Sequence, residues 1–197
     1  KREADETSPI FAETWHSDWS FQETPPAGTC LMAMTIPPIG GDTLFANQHL
    51  ALETMPESLL NKLKGKQAVH SARAAYAPDG AYGAADQRMR SMDIRPSADA
   101  HGEHLHPIIR AHRETGRKGI FGCAGYIVGF AYEDPKASMA LLGELYQWQT
   151  RKEFQYRHKW QDNMLVMWDN RSVLHMATGG YAGHARRLHR TTIGERV

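Results

Sequence analysis

The chain has 197 residues, with 23 Lys+Arg against 22 Asp+Glu and a formal net charge of +1, enough for one domain with a substantial core. No block of like charge marks a nucleic-acid or membrane surface, and the apolar runs are far too short to span a bilayer. Lys1 to Ile10 lacks the apolar core of a signal peptide, and Cys30 and Cys123 make no disulfide framework, so the expected setting is cytoplasmic with both thiols reduced and buried.

In chain order, Thr29 to Ile36 is an apolar, β-compatible run ended by Pro37-Pro38. Gly40-Gly41-Asp42 signals a turn, and Thr43 to Phe45 starts another extended piece. Asn47 to Lys64 reads as helical, with Pro56 in a first turn and Leu59, Leu60 and Leu63 on one apolar face. Ala68 to Ala72 reads as a strand. Residues 74–103 are rich in Ala, Gly, Asp, Pro and Ser, and a loop of that length inside a domain reads as a mobile flap. Short strands follow over His106 to His112 and Gly119 to Gly122. Asp134-Pro135 is a helix start, with Met139, Leu142, Leu145 and Tyr146 at helical spacing. Phe154 to Trp160, Met164 to Trp168 and Leu188 to Ile193 complete the strands. With no parallel βαβ alternation, the order predicts a mainly β fold, an antiparallel sandwich or barrel with helices outside.

The stretch TWHSDWSF, Thr14 to Phe21, sets an imidazole and a carboxylate two residues apart among large aromatics. Burying an ionised Asp is costly unless something pairs with it, and a metal ion would do so. In a strand, His16 and Asp18 would share a face with Ser17 turned away, and the pair suits Fe(II), Mn(II) or Zn(II). His175 lies 157 residues after Asp18 in MWDNRSVLH, where a strand-turn-strand element can return it as a third ligand. Two histidines and one carboxylate make the facial triad of non-haem Fe(II) oxygenases. A competing cluster is HGEHLH, with His101, His104 and His106 close enough in sequence to hold Zn(II). Asp162 and Asp169 read as turn and structural carboxylates.

Near the end, ARRLHRTTI places Arg186, Leu188 and Arg190 on one strand face and Arg187, His189 and Thr191 on the other. Guanidinium groups turned into a sandwich require anions to meet them. A dicarboxylate that chelates a metal at one end and meets Arg186 at the other satisfies that design.

Taken together, WHSDWSF, ETPPAG, GGDTLF, HPIIRAH, EFQYRHKW, WDNRSVLH and RRLHRTTI resemble, in order and over nearly the whole chain, the taurine dioxygenase and 2,4-dichlorophenoxyacetate dioxygenase family of Fe(II)/2-oxoglutarate-dependent oxygenases. The resemblance implies a double-stranded β-helix, or jelly-roll, core. It implies His16, Asp18 and His175 as the iron ligands. It also implies Thr43 and Arg186 at the distal carboxylate of 2-oxoglutarate, Arg190 near the acidic group of the substrate, and Trp168 packed beside the site. The reaction it implies consumes O2 and 2-oxoglutarate, releases succinate and CO2, and hydroxylates a small anionic substrate. A C–O or C–S bond then breaks where the hydroxylated carbon carries oxygen or sulfur. Asp18 argues against a halogenating relative, in which that carboxylate is missing.

Two departures are visible. Family members carry several dozen residues before this region, so the resemblance implies a single oxygenase domain over 1–197 without its N-terminal part. The taurine enzyme's pattern has Asn where this chain has Ala12, and Trp19 and Tyr126 replace smaller or different pocket residues. These aromatics predict a ring-bearing substrate, an aryloxyalkanoate-like or other carboxylate, ahead of an alkyl sulfonate or sulfate ester. A non-catalytic metal- or ligand-binding relative and a zinc hydrolase are the readings from other classes. By analogy, the protein would be a homodimer or tetramer.

Overall fold

The apolar run after Pro25-Pro26 forms β1 (Gly28–Thr35), the first element of a computed structural model that describes residues 1–83, 86 and 90–195. Next come β2 (Thr43–Asn47), α1 (Gln48–Glu53), α2 (Glu57–Leu63), β3 (Gln67–Ser71) and α3 (Arg73–Tyr76). A 3-10 turn at Ala98–His101 leads into β4 (Glu103–Pro107), β5 (Ile109–Ala111), β6 (Lys118–Ile120) and β7 (Ile127–Phe130). Helix α4 (Pro135–Gln149) precedes β8 (Gln155–His158), β9 (Leu165–Asp169), β10 (Val173–Ala177) and β11 (Arg187–Ile193).

Among the described residues every strand pairing is antiparallel, as the chain order predicts. One sheet runs β11-β1-β9, a second β10-β2-β8 and a third β4-β3-β7, with β5 and β6 a separate pair. Strand β1 is central, with Leu31 opposite Arg190 on one side and Val166 on the other. The main apolar core lies where α2 and α4 cover the third sheet, around Leu59, Leu63, Ile120, Phe130, Leu142 and Leu145. Among the described residues no helix is long and apolar enough to cross a membrane.

The helical reading of Asn47 to Lys64 needs correction, because the segment is two helices. Asn47 Oδ1 accepts from the amides of His49 and Leu50, both at 3.0 Å, and starts α1. Pro56 then stands in extended backbone as the N-cap of α2. Proline has no N–H to give to the preceding turn and disfavours a helical residue before it. Asp134 caps α4 through the Ala137 amide at 2.9 Å, with Pro135 at the first position, as expected. The buried stripe of α4 is Ser138, Leu142, Leu145 and Gln149, and Met139 faces solvent. Ser138 displaces Met139 because its hydroxyl accepts the β7 amide of Phe130 at 3.2 Å. Strand β7 has no counterpart in the sequence reading; its IVGF run is four residues long, too short for periodicity to mark.

Of the expected flap, residues 84, 85 and 87–89 lie outside the described residues. The rest carries α3 and the 3-10 turn, and Ser97 N bonds to Tyr76 O at 3.0 Å. Its Ser91 is held by Glu6, whose carboxylate accepts from the Ser91 amide at 3.1 Å and from the Ser91 and Ser8 hydroxyls. Burial would raise the Glu6 carboxyl, but the Ser8 and Ser91 bonds outweigh it and hold the group down at about 2. Cys123 is buried and Cys30 half-buried; both are free thiols.

Candidate metal centre and cofactor pocket

The stretch from Thr14 is not the regular strand that His16-x-Asp18 suggested. His16 makes a single antiparallel bridge to His175, with His16 N to His175 O at 3.0 Å and His175 N to His16 O at 2.8 Å. The chain then turns at Asp18, and Trp19 holds a left-handed φ of 50°. The bridge brings the two histidines together, and the turn swings Asp18 between them. Ser17 does face away, donating to Asn170 O at 2.7 Å.

His16, Asp18 and His175 are all buried and form the one such cluster of potential metal ligands among the described residues, each offering an atom within 4.8 Å of the others. His16 Nε2 lies 3.6 Å from Asp18 Oδ1, and His175 Nε2 lies 3.7 Å from the same oxygen. Donors about 2.1 Å from a common ion sit about 3–3.5 Å apart, so a small contraction would close the group on one ion. His16 Nδ1 lies 2.8 Å from Thr14 O, a pure acceptor, so Nδ1 carries a proton and Nε2 is the nitrogen turned toward Asp18. Burial, then the neighbouring charge of His16, pushes the His175 imidazole down to about 3, so it is neutral at pH 7, as a ligand must be. Burial would raise the Asp18 carboxyl, but the His16 bond, the His175 and His16 charges and the Thr29 hydroxyl hold it well below the usual carboxylate range. Two imidazoles and an ionised carboxylate suit a divalent first-row metal.

The group opens on a cavity of about 580 Å³, which Thr43, Arg186, Arg190, Trp19 and Trp168 also line. Arg186 is the base of that cavity. Its Nε donates to Gly41 O at 3.1 Å, its backbone pairs with Arg2 through bonds of 2.8 and 2.9 Å, and among the described residues no acid forms an ion pair with it. Burial pushes the Arg186 guanidinium down, opposed by Tyr181 and Asp42, so it is a desolvated cation facing an open volume. Thr43 Oγ1 accepts from Trp160 Nε1 at 3.0 Å, which leaves its own proton for an acceptor in the cavity.

Gly40 and Gly41 set this corner, with φ of 67° and 68°. A side chain at Gly40 would stand 2.6 Å from the Gly180 backbone, and one at Gly41 would stand 3.1 Å from Arg186 Nε. Gly41→Ala should therefore lower stability by about 1–2 kcal/mol in urea denaturation, since left-handed backbone is strained for any residue with a Cβ.

Arg190 lies on the cavity face, as its alternation with Arg186 requires. Its Nη1 meets Asp18 Oδ1 at 3.4 Å and its guanidinium sits 4.8 Å over the Trp19 ring. Trp168 packs 4.7 Å from the His175 ring. Tyr126, expected in the pocket, does not line the cavity. It is buried behind His16, edge-on at 6.3 Å, and stacks on Tyr76 at 6.4 Å, because the run into β7 carries it into the aromatic cluster of Phe21 and Tyr76. The HGEHLH cluster does not form either. His101 is exposed on the 3-10 turn, while His106 turns inward to Gln22 O at 2.9 Å and packs on His70. Asp169 is structural, as expected, bonding His112 at 2.9 Å and Arg171 at 2.6 Å. Asp162 accepts from the Ile36 amide at 3.1 Å.

Three features escaped the sequence reading. Thr29 and Asn170 bond around Asp18 although they stand in an apolar strand and a turn motif, where nothing local marks them. Phe11 adds an aromatic wall to the cavity. Ala12, at the position of the taurine enzyme's Asn, holds a left-handed φ of 62°, a conformation that asparagine adopts more readily than alanine.

Known proteins share this architecture and this sequence. The 2,4-dichlorophenoxyacetate dioxygenase of Cupriavidus pinatubonensis, described as alpha-ketoglutarate-dependent, is 34% identical over 98% of this chain and 64% of its own. An alkylsulfatase of Acinetobacter baylyi is 33% identical over 99% of this chain and 61% of its own. This chain thus spans a little under two thirds of the length of these curated relatives. The crystal structure of AAD-2 with Mn(II) and N-oxalylglycine matches with a TM-score of 0.76 at 26% identity, covering 93% of this chain and 69% of that one. The model of the taurine catabolism dioxygenase TauD, TfdA family matches residues 1–192, and the chain belongs to that family.

Proposed function

We propose that this chain carries the active site of an Fe(II)- and 2-oxoglutarate-dependent dioxygenase that hydroxylates a small anionic organic substrate. One observation carries the reading. Three buried ligand atoms lie within 4.8 Å of one another in the wall of a cavity also lined by the desolvated guanidinium of Arg186, with which no acid forms an ion pair among the described residues. The family membership and the relatives' printed activities support it. The antiparallel sheets are read as a double-stranded β-helix forming one oxygenase domain, in a cytoplasmic protein.

In this reading His16, Asp18 and His175 hold the metal, and when bound it supplies the O2 chemistry of the reaction. Arg186 takes the distal carboxylate of 2-oxoglutarate (the alpha-ketoglutarate of the relatives' names) by a charge-assisted pair, and the Thr43 hydroxyl donates beside it. Neutral His175 needs no deprotonation before ligating. Trp19, Phe11 and Leu188 give the substrate an apolar wall and exclude water, while Arg190, already beside Asp18, draws an anionic substrate toward the triad. Trp19 and Phe11 support an aryloxyalkanoate-like or other carboxylate substrate, cleaved at C–O after hydroxylation. The alkylsulfatase relative favours a sulfate ester or alkyl sulfonate as the second reading.

Succinate release with Fe(II), ascorbate, O2 and 2-oxoglutarate, across aryloxyalkanoates, alkyl sulfonates and sulfate esters, tests this. One class should raise succinate at least about tenfold over the substrate-free rate. No succinate with any class, despite Mn(II) and 2-oxoglutarate binding, would favour a non-catalytic binding relative; zinc-only binding with hydrolysis would favour a hydrolase.

A further inference from the structure

Asp18 has two carboxylate oxygens, and the protein treats them differently. Oδ1 faces both histidine Nε2 atoms, at 3.6 and 3.7 Å, and also takes a longer 3.4 Å contact from Nη1 of the partly exposed Arg190. Oδ2 accepts a 2.7 Å bond from Thr29 Oγ1. Thr29 is fully buried in β1 and accepts in turn from Asn170 Nδ2 at 2.9 Å, while Asn170 Oδ1 accepts from Trp168 Nε1 at 2.9 Å.

The direction of this chain is settled by its head. An indole N–H donates and never accepts. Asn170 must therefore turn its oxygen to Trp168 and its NH2 to Thr29. The Thr29 hydroxyl has one proton and is already accepting, so that proton goes to Asp18. The Asn170 backbone is anchored as well, its N–H bonding to Ala27 O at 2.9 Å and its carbonyl accepting from Ser17 at 2.7 Å. The Trp168 ring that starts the chain also packs against His175.

We propose that Trp168, Asn170 and Thr29 form a one-way hydrogen-bond relay that commits Asp18 Oδ2 to the protein and reserves Oδ1 as a single-oxygen metal ligand. Thr29 and Asn170 are positioning residues: they touch no ligand of the cavity and act through Asp18. Holding the carboxylate to one oxygen keeps it from spreading over a second coordination position, one that co-substrate must fill. The inference rests on the triad being the metal site.

The test uses Co(II) and Mn(II) as probes, with Kd by titration and the visible absorption spectrum of the Co(II) form as readouts. Thr29→Val keeps the shape and removes the donor. It should weaken both metals about 10- to 100-fold, the usual effect of losing an outer partner, and change the Co(II) spectrum. Thr29→Ser should restore Kd to within about threefold and return the spectrum. A purely structural role would lower melting temperature while leaving the Co(II) spectrum and Kd of the folded protein unchanged, and that result would overturn the relay. If Thr29→Val does not fold, Trp168→Phe carries the test, since it keeps an aromatic, though smaller, ring beside His175 and removes the N–H. A Kd weakened at least about threefold with a shifted spectrum supports the relay, and wild-type values reject it. Asp18→Ala separates the two levels: if wild type binds Co(II) and Asp18→Ala binds it equally well, the metal-site reading fails, whatever Thr29 does.

Discussion

His175→Ala should abolish substrate-stimulated succinate release and weaken Mn(II) binding by more than about 100-fold, beyond the range of outer-partner losses. His175 is buried and neutral, and its Nε2 is one of three atoms aimed at a single point. The ring is held from the sides by Trp168 at 4.7 Å and Phe45 at 6.2 Å, and its Nδ1 has no hydrogen-bond partner among the described residues. Among the described residues no fourth ligand side chain joins the cluster to take over its lone pair, and the neighbouring Arg190 is a cation. Isothermal titration with Mn(II) reads the loss directly, and a melt of the metal-free variant checks the fold. Wild-type affinity in a folded variant would remove His175 from the site.

The second large effect is expected at Arg186. Arg186→Gln should raise the Kd for 2-oxoglutarate by about 10²–10³-fold, because truncating one side of a buried charge pair costs about 2–5 kcal/mol. Arg186→Lys should recover only part of this, since an ammonium offers no planar fork to a carboxylate. Stability should move the other way. The Arg186 guanidinium is desolvated, and among the described residues no acid forms an ion pair with it. Removing a half-buried charge that no acid compensates should leave the ligand-free protein about as stable as wild type or more so. Fluorescence-monitored binding of 2-oxoglutarate to the Mn(II) form, alongside a ligand-free melt, reads both. A variant that binds 2-oxoglutarate normally would move the co-substrate site elsewhere.

Much of the site could be read from the chain because its chemistry is unusual for its surroundings. A carboxylate among tryptophans and two arginines on one strand face both violate ordinary burial rules, and the structure brings all of them to one cavity. The means of bringing them there was less legible. His16 and Asp18 share a side through a bridge followed by a turn, and the left-handed Trp19 carries no sequence mark. Tyr126 was misplaced because side-chain direction beyond a strand end depends on tertiary packing. Pro56 was read in a first helical turn, which fits its place at the head of α2; what went unread was that α1 ends before it. Thr29 and Asn170 were invisible because their partners are 11 and 141 residues away. The antiparallel class followed from strand order alone, which is a coarser property than any side chain's neighbours.

The bridge between His16 and His175, with its companion between Arg2 and Arg186, joins opposite ends of the described chain. A contact so distant in sequence is slow to find, because a long loop must close before it returns any free energy. On a ribosome adding about 5–20 residues per second, the first histidine and the aspartate emerge roughly 8–30 s before the last ligand. Until then a metal at the proposed site would find only two of its three protein ligands. Metal capture would thus come late in maturation. A bound ion would clasp two segments that lie 157 residues apart in sequence, and its removal should loosen both together.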